Sequence, residues 1–362
     1  MELKTPLHDA HIKAGGQMVS FAGWSMPIHY GSQIKEHQAV REKTGMFDVS
    51  HMTVVDIQGP QARDYLRHLL ANDVAKLTES GQALYGCMLN DEGGIIDDLI
   101  TYRIEADFYR TVVNAATRQA DLDWMRAQAD GFDVAIVERD DLAMVAVQGP
   151  LARQCVIDVL DAPQLDDLRP FNAASLGDWF IARTGYTGED GFEVLLPATA
   201  AEGFWDQLLA SGVAPCGLGA RDSLRLEGGL NLYGQDMNLE THPFESNLGW
   251  TVVMNAAERS FVGAKALEHI KADCVDRQLV GLVLNKGAIP RTGSVVNTPQ
   301  GTGVITSGSF APTLDRPIAL ARVPRGEFDR VAVQVRGRSL PAAVVKPPFV
   351  RAGKIKVDPD PV

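Results

Sequence analysis

Two adjacent aspartates in a stretch that reads as a strand are the first residues here that could do chemistry. They are Asp97 and Asp98 of Asn90-Asp91-Glu92-Gly93-Gly94-Ile95-Ile96-Asp97-Asp98-Leu99-Ile100-Thr101-Tyr102. The Gly-Gly pair signals a turn, and the apolar and β-branched run after it favours extended backbone. Aspartate is depleted from strands, so the pair needs a reason. With a period of two, the pair must face opposite sides. Asp98 shares its side with Ile96, Ile100 and Tyr102, the more apolar set, and Asp97 shares with Ile95, Leu99, Thr101 and Arg103. One carboxylate is expected to enter an enclosed space, where loss of water raises its pKa unless a cation answers it. The alternative is that both cap turns or pair with surface bases, and spacing alone leans that way.

A second polar cluster is Arg183-Thr184-Gly185-Tyr186-Thr187-Gly188-Glu189-Asp190-Gly191-Phe192-Glu193-Val194, a tight loop leading into a strand that contains Glu193. A hairpin needs one or two glycines, so three in seven residues point to backbone approaching a ligand closely. It is not a phosphate loop, since it lacks the Gly-Lys-Ser/Thr ending and its carboxylates repel phosphate. A surface hairpin with solvated acids stands equally open. The segment from Gly217 through Arg221, Arg225 and Glu227 to Asn231, Tyr233, Gln235 and Asp236 reads as a turn entering a helix. Its charges could form a structural ion-pair set, or Arg221 could offer a planar donor fork to a ligand. The polar, glycine-broken stretch after the helix reads as a site rim rather than core. His51, in Gly45-Met46-Phe47-Asp48-Val49-Ser50-His51-Met52, could be a base, but a lone histidine beside a serine is more often structural. His8 and His11 are too isolated to assign. No serine–histidine–acid set and no metal-ligand spacing is visible, so covalent and metal catalysis both lack candidates.

The elements that must position these residues form an α+β pattern. A weak repeat joins Thr53-Val54-Val55-Asp56-Ile57-Gln58-Gly59-Pro60 to Leu142-Ala143-Met144-Val145-Ala146-Val147-Gln148-Gly149-Pro150, each followed by a helical pattern. Both read as strand, Gly-Pro turn, then helix, with the proline where its missing N–H is harmless. Strands are expected at 94–104 and 109–113, and helices at 121–128, 200–210 and 263–271. From about 278 to 345, short apolar runs alternate with Gly/Pro/Ser/Thr turns, predicting an all-β barrel or jelly roll. The tail at 359–362 is expected to fray.

The 362 residues fit two to three domains, and 45% hydrophobic with 22% charged residues suits a soluble protein with a large core. A net charge of -12, from 46 acidic against 34 basic residues, argues against nucleic acid or anionic membrane as partner. Cys87, Cys155, Cys216 and Cys274 are too dispersed for a zinc site or disulfide framework, which fits a reducing compartment. No signal, transit or bilayer-spanning segment is read, so a cytoplasmic protein is expected.

Taken together, these segments resemble the glycine cleavage system T-protein (aminomethyltransferase) family. The resemblance is carried by Phe21-Ala22-Gly23-Trp24, residues 45–52, Gly93-Gly94-Ile95-Ile96-Asp97-Asp98, residues 183–193, Leu232-Tyr233-Gly234-Gln235-Asp236-Met237 and Ile305-Thr306-Ser307-Gly308-Ser309-Phe310-Ala311-Pro312-Thr313-Leu314. It runs nearly end to end, in order. It implies a three-domain cloverleaf around a central channel that binds tetrahydrofolate: residues 1–52 with 140–260 as a discontinuous folate-binding domain, 53–139 as a second α+β domain, and 275–362 as the C-terminal barrel or jelly roll. The implied reaction takes an aminomethyl group from the lipoyl arm of the partner H-protein and passes it to tetrahydrofolate, releasing ammonia. Tetrahydrofolate serves as acceptor, without metal, flavin or nicotinamide, and the protein is expected to be a monomer. By position in the family's motif, the resemblance implies that Asp98 would be the catalytic carboxylate, steadying an iminium-like carbon. Glu193 and Arg221 would hold the pterin, Met52, Tyr85, Val112, Asn114 and Tyr186 would line the pocket, and Tyr233 would stand at its rim. Arg351 could meet the folate tail or H-protein. The chain departs from the family in having Leu168 and Val350-Arg351 where several members carry aromatic residues, which bears on the outer pocket lining. Rival readings are a folate-dependent demethylase, the folate domain of a sarcosine or dimethylglycine oxidising enzyme, and a folate-binding protein without catalysis. The absence of a Gly-x-Gly-x-x-Gly signature disfavours a flavin fusion.

Overall fold

The computed structural model describes residues 2–254, 259–273 and 275–358. Cys274 and the tail at 359–362, both named above, lie outside the described residues. Two compact units divide the chain: Met1–Leu69, Asp73–Tyr85 and Leu99–Asp222 make the first, and Leu70–Asn72, Gly86–Asp98 and Ser223–Val362 the second.

In the first unit a six-stranded sheet runs in the order Ala173–Leu176, Trp179–Ala182, Gly191–Pro197, Leu142–Gln148, Gly45–Asp48, Ala214–Pro215. Side-chain alternation divides its faces. Val145, Val147, Phe192, Val194 and Leu196 enter a core with Val156, Phe204, Trp205 and Leu208, which come from helices Ala152–Leu160 and Ala201–Ala210. Glu193, with odd parity, stands on the other face, between Ala146 on one neighbouring strand and Ala182 on the other. A second, five-stranded sheet has the order Ala83–Leu89, Ile95–Glu105, Phe108–Val113, Thr53–Gln58, Ala135–Glu138.

Both strand–Gly-Pro–helix repeats form. Thr53–Gln58 leads to helix Ala62–Leu69 and Leu142–Gln148 to Ala152–Leu160. In each, the first helical N–H donates to the glycine carbonyl at 3.0 Å (Ala62 to Gly59, Ala152 to Gly149). Glycine is required at both turns: φ is 139° at Gly59 and 128° at Gly149, and a Cβ would lie 2.4 Å from the Asp133 carbonyl oxygen and 2.5 Å from that of Lys43. The helix expected at 121–128 spans Arg118–Ala127. Its first turn is polar, so apolar periodicity could not announce it.

The second unit contains a closed six-stranded barrel, ordered Arg277–Leu284, Arg316–Pro324, Gly301–Ala311, Val295–Thr298, Arg330–Val335, Arg338–Val345, with antiparallel pairs throughout and the last strand closing on the first. This decides between the two architectures expected: a barrel. Ala319, Ala321 and Val323 point inward, while Ile318 and Leu320 pack outside against Leu226, Phe349 and Val350. Burial on both sides explains why Leu279-Val280-Gly281-Leu282-Val283-Leu284 is an unbroken apolar run rather than an alternating one.

Candidate active site

Glu193 and Arg221 lie within the first unit and interact. Thr184 Oγ1 donates to Glu193 Oε2 at 2.6 Å, and the Tyr102 hydroxyl lies 3.1 Å from the same Oγ1. Burial pushes the Glu193 carboxyl above its ordinary range, and the Thr184 bond and the Arg221 charge offset this only in part. Arg221 stands in the first turn of helix Leu218–Glu227, its N–H donating to the Gly217 carbonyl at 3.1 Å. Its guanidinium sits 4.7 Å from the centroid of the Tyr186 ring, and Nη2 is 4.0 Å from Sδ of Met52. Burial lowers its pKa while Glu193 and Tyr186 act in the opposite direction. It remains a cation. Arg221 Nη1 and His51 Nδ1 are buried with no hydrogen-bond partner among the described residues. The arrangement offers a flat aromatic face, a desolvated donor fork and a carboxyl of raised pKa.

The structure thus brings Met52, Tyr186, Glu193 and Arg221 together. Tyr85, Val112 and Asn114 belong instead to the five-stranded sheet or the turn after it. Val112 is buried, facing Val54 and Ile100 on its neighbours, and Tyr85 and Asn114 are half-buried. Asp98 and Tyr233 belong to the second unit.

There the Gly-Gly pair makes its turn: Gly93 has φ 82°, and Asn90 Oδ1 accepts from Gly94 N at 2.7 Å. A Cβ on Gly94 would lie 1.8 Å from the Leu239 carbonyl oxygen, so the close neighbour is backbone. The Tyr233 hydroxyl donates to the Ile95 carbonyl at 3.0 Å, pinning the start of the strand that carries the aspartates. Burial does not follow the apolar content of the two faces. Ile95, Asp97, Leu99 and Thr101 are all enclosed, with Asp97 at 0% exposure; on the other face Ile96 and Tyr102 are buried too, but Asp98 and Ile100 are only half-buried. The carboxylate left accessible is Asp98. The buried Cys87 thiol, raised by burial and by the charges of Asp98 and Asp97, stays protonated.

Two expectations need correction. Two of the three glycines of the 183–191 loop have protein as their close neighbour: a Cβ on Gly185 would meet Gln148 Oε1 at 1.9 Å, and one on Gly191 the Val147 carbonyl oxygen at 2.1 Å. Gln148, fully buried, donates to the Thr184 carbonyl at 3.0 Å and accepts from Thr187 Oγ1 at 2.8 Å. The loop's acids are engaged as well, Glu189 with Arg41 at 2.6 Å and Asp190 with both ends of the Arg183 fork at 2.9 and 2.6 Å. The second correction concerns the polar stretch after helix Leu218–Glu227, expected at a rim. Asp236 is fully buried and accepts from Arg225 Nη1 (2.8 Å), Leu232 N (2.9 Å), Ser307 Oγ (2.8 Å) and Thr306 Oγ1 (2.5 Å). Glu227 accepts from Thr313 N and Oγ1 at 2.9 and 2.7 Å. This network ties the helix to the barrel strand of the Thr306-Ser307 motif, so Arg225 and Glu227 are structural. Leu168 packs on the first core and Val350 is buried in the second, so neither is laid open as lining; Arg351 is exposed.

His11, too isolated in the sequence to assign, belongs to a buried polar group. His11 Nε2 lies 2.9 Å from Asp48 Oδ2 and its Nδ1 lies 2.8 Å from the Tyr30 hydroxyl, all in the first unit. The three residues are far apart in the chain, and no local pattern announces the set.

Two surface cavities, of about 510 Å³ beside Lys286, Arg336 and Arg338 and about 320 Å³ beside Arg110, Arg139 and Trp179, contain none of the candidate site residues. In the second, both arginines are spent on Asp56 and Asp141 at 2.7–2.8 Å. Among the described residues no cluster of three or more His, Cys, Asp or Glu could hold a metal, and no helix is long and apolar enough to cross a membrane.

The GCVT N-terminal domain profile matches residues 7–256, and the glycine cleavage T-protein C-terminal barrel domain matches residues 277–351. An aminomethyltransferase of Xanthomonas axonopodis pv. citri (strain 306) is 53% identical over 362 residues, covering 98% of both chains. One of Stenotrophomonas maltophilia (strain K279a) is 54% identical, again over 98% of each. The crystal structure of the glycine cleavage system aminomethyltransferase T from Bartonella henselae superposes with a TM-score of 0.92 at 37% identity, covering 98% of this chain and 100% of that one.

Proposed function

The chain belongs to the glycine cleavage T-protein family, and from that premise we propose that it moves the aminomethyl carbon from the lipoyl arm of an H-protein to tetrahydrofolate, releasing ammonia. It is an aminomethyltransferase by family, and the end-to-end match to named relatives carries the reading. Tetrahydrofolate, when bound, supplies the nitrogens that accept the carbon; no metal, flavin or nicotinamide is invoked.

The cluster in the first unit fits such a heterocycle. The Tyr186 ring beneath Arg221 holds the guanidinium in one plane, and a planar fork suits a flat polar edge better than a point charge does. Burial keeps water from competing for it. Glu193, with its raised pKa, accepts a hydrogen bond when ionised and donates one when protonated. In this reading Arg221 and Glu193 hold the pterin, Met52, Tyr85, Val112, Asn114 and Tyr186 line its pocket, and Tyr233 stands at the rim. Asp98 is the half-buried carboxylate that steadies positive charge on the transferred carbon and assists proton movement. The partner is the lipoylated H-protein, met transiently by a monomer in the cytoplasm; the net charge of -12 suits neither nucleic acid nor anionic membrane.

The test is ammonia release from aminomethylated H-protein, with and without tetrahydrofolate. Release should depend on folate and fall about 100-fold or more in Asp98→Asn, with an unchanged circular dichroism spectrum. Near-normal turnover in that variant removes Asp98 from the mechanism, and no folate-dependent release from the native protein removes the whole reading.

A further inference from the structure

His51 has no task in the reaction as described, yet its placement is unusual. The residue is 5% exposed, and Phe21 packs edge-on against its ring at 5.6 Å and 84°. Its Nδ1 is buried and meets no hydrogen-bond partner among the described residues; Arg221 Nη1 is in the same condition. Native proteins leave few buried polar atoms unsatisfied, and such atoms call for a reason. Here two occur on neighbouring side chains. The Arg221 charge acts on His51, and Arg221 Nη2 reaches Sδ of Met52, the next residue, at 4.0 Å. Asp48, whose charge also acts on His51, makes its hydrogen bonds elsewhere, accepting from His11 Nε2 and from Ser50 N, each at 2.9 Å.

Chemistry narrows what the pair could meet. Burial first, and then the Arg221 charge, lower the imidazole pKa to about 4 against the opposing pull of Asp48. At neutral pH the ring is therefore uncharged, with one nitrogen able to accept and the other to donate. An anion would need only cations here. A neutral ring beside a guanidinium instead suits a flat, uncharged edge that carries a donor next to an acceptor. We propose that His51 is a further binding residue of this site, its Nδ1 and Arg221 Nη1 together taking the polar edge of a planar heterocycle. The assignment rests on the folate reading above and makes that edge part of the pterin of tetrahydrofolate.

Tetrahydrofolate binding to the full chain at pH 7.5, measured by calorimetry under anaerobic conditions, tests this with three variants. His51→Phe keeps a flat ring and removes both nitrogens. The amide of His51→Asn falls near the position of Nδ1, whereas that of His51→Gln falls near Nε2. Kd should rise at least tenfold in His51→Phe, return to within about threefold of native in His51→Asn, and stay weak in His51→Gln. A purely structural histidine would lower Tm without producing that order. Native-like binding by His51→Phe, or an asparagine no better than glutamine, overturns the proposal. If His51→Phe does not fold, the asparagine–glutamine order decides alone. Native protein that binds while the variants bind equally well removes only His51; native protein that fails to bind removes the folate reading with it.

Discussion

Arg221 combines three conditions seldom met in one side chain: burial, a net charge and an aromatic face 4.7 Å away. The guanidinium tolerates them because it is weakly hydrated and planar, and can stack while its edge nitrogens donate. A lysine would have to bury a compact, strongly hydrated ammonium over the same ring. Arg221→Lys is therefore expected to weaken tetrahydrofolate binding by about 2 kcal/mol, roughly 30-fold, while the Thr184–Glu193 bond holds the strand side of the site as before. Fluorescence titration of the two proteins checks this, and equal affinities would mean that charge alone matters. Sequence motifs could name Arg221 and Glu193 as polar residues in odd places, because glycine spacing and a helix start are local signals. They could not name the His11–Asp48–Tyr30 set. Burial pushes Asp48 up, but the hydrogen bond and charge of His11, together with smaller contributions led by the Ser50 bond, more than offset it, leaving the carboxyl below its usual range. That balance depends on a helix docking against a distant strand.

At the scale of elements, the loop of residues 183–191 shows how glycine misleads. Its glycine excess suggests backbone close to a ligand, with a plain surface hairpin equally open, and at Gly185 the close neighbour is Gln148, at the end of the neighbouring strand. Sequence can report that backbone passes close to something; it cannot report what. A double-mutant cycle separates the two meanings. Gly185→Ala places a methyl on a glutamine held by Thr184 and Thr187, and should cost about 1–3 kcal/mol of stability. In a Gln148→Ala background the same methyl has space, and its cost should fall below about 1 kcal/mol. Denaturant melts of the four proteins measure the difference, and equal costs in both backgrounds would mean that Gln148 is not what the glycine accommodates. The polar stretch at 231–237 misleads for a related reason. Asn, Asp and Gly are the residues of exposed turns, but Asp236 gathers four donors and is fully buried. By contrast, the two Gly-Pro turns and the barrel were legible, since the first depend on one proline and one strained glycine, and the second on evenly spaced breaks in short apolar runs.

For the molecule as a whole, the chain's acidity and the buried histidine make opposing claims on stability as pH falls. A formal charge of -12 and an isoelectric point near 5.1 mean that self-repulsion fades on acidification, which favours the compact state. His51 acts the other way. Its imidazole stays neutral in the fold down to about pH 4, while in the unfolded chain it takes a proton below about 6.5. Between those values the unfolded state binds more protons, so stability must fall as pH falls through the window. The full span of about 2.5 units corresponds to about 3 kcal/mol. Below pH 4 the folded form protonates as well and the loss stops growing. Glu193, raised in the fold, has the opposite sign and gains stability on acidification, so the native curve alone cannot isolate one group. Subtraction can. Against His51→Asn, which has no proton to take, the native protein should lose progressively more stability between pH 6.5 and 4, and the two curves should run parallel above pH 7. Melts at low protein concentration, to limit association near the isoelectric point, measure that difference. Parallel curves across the whole range would mean that the imidazole reaches water and titrates as it does in the unfolded chain.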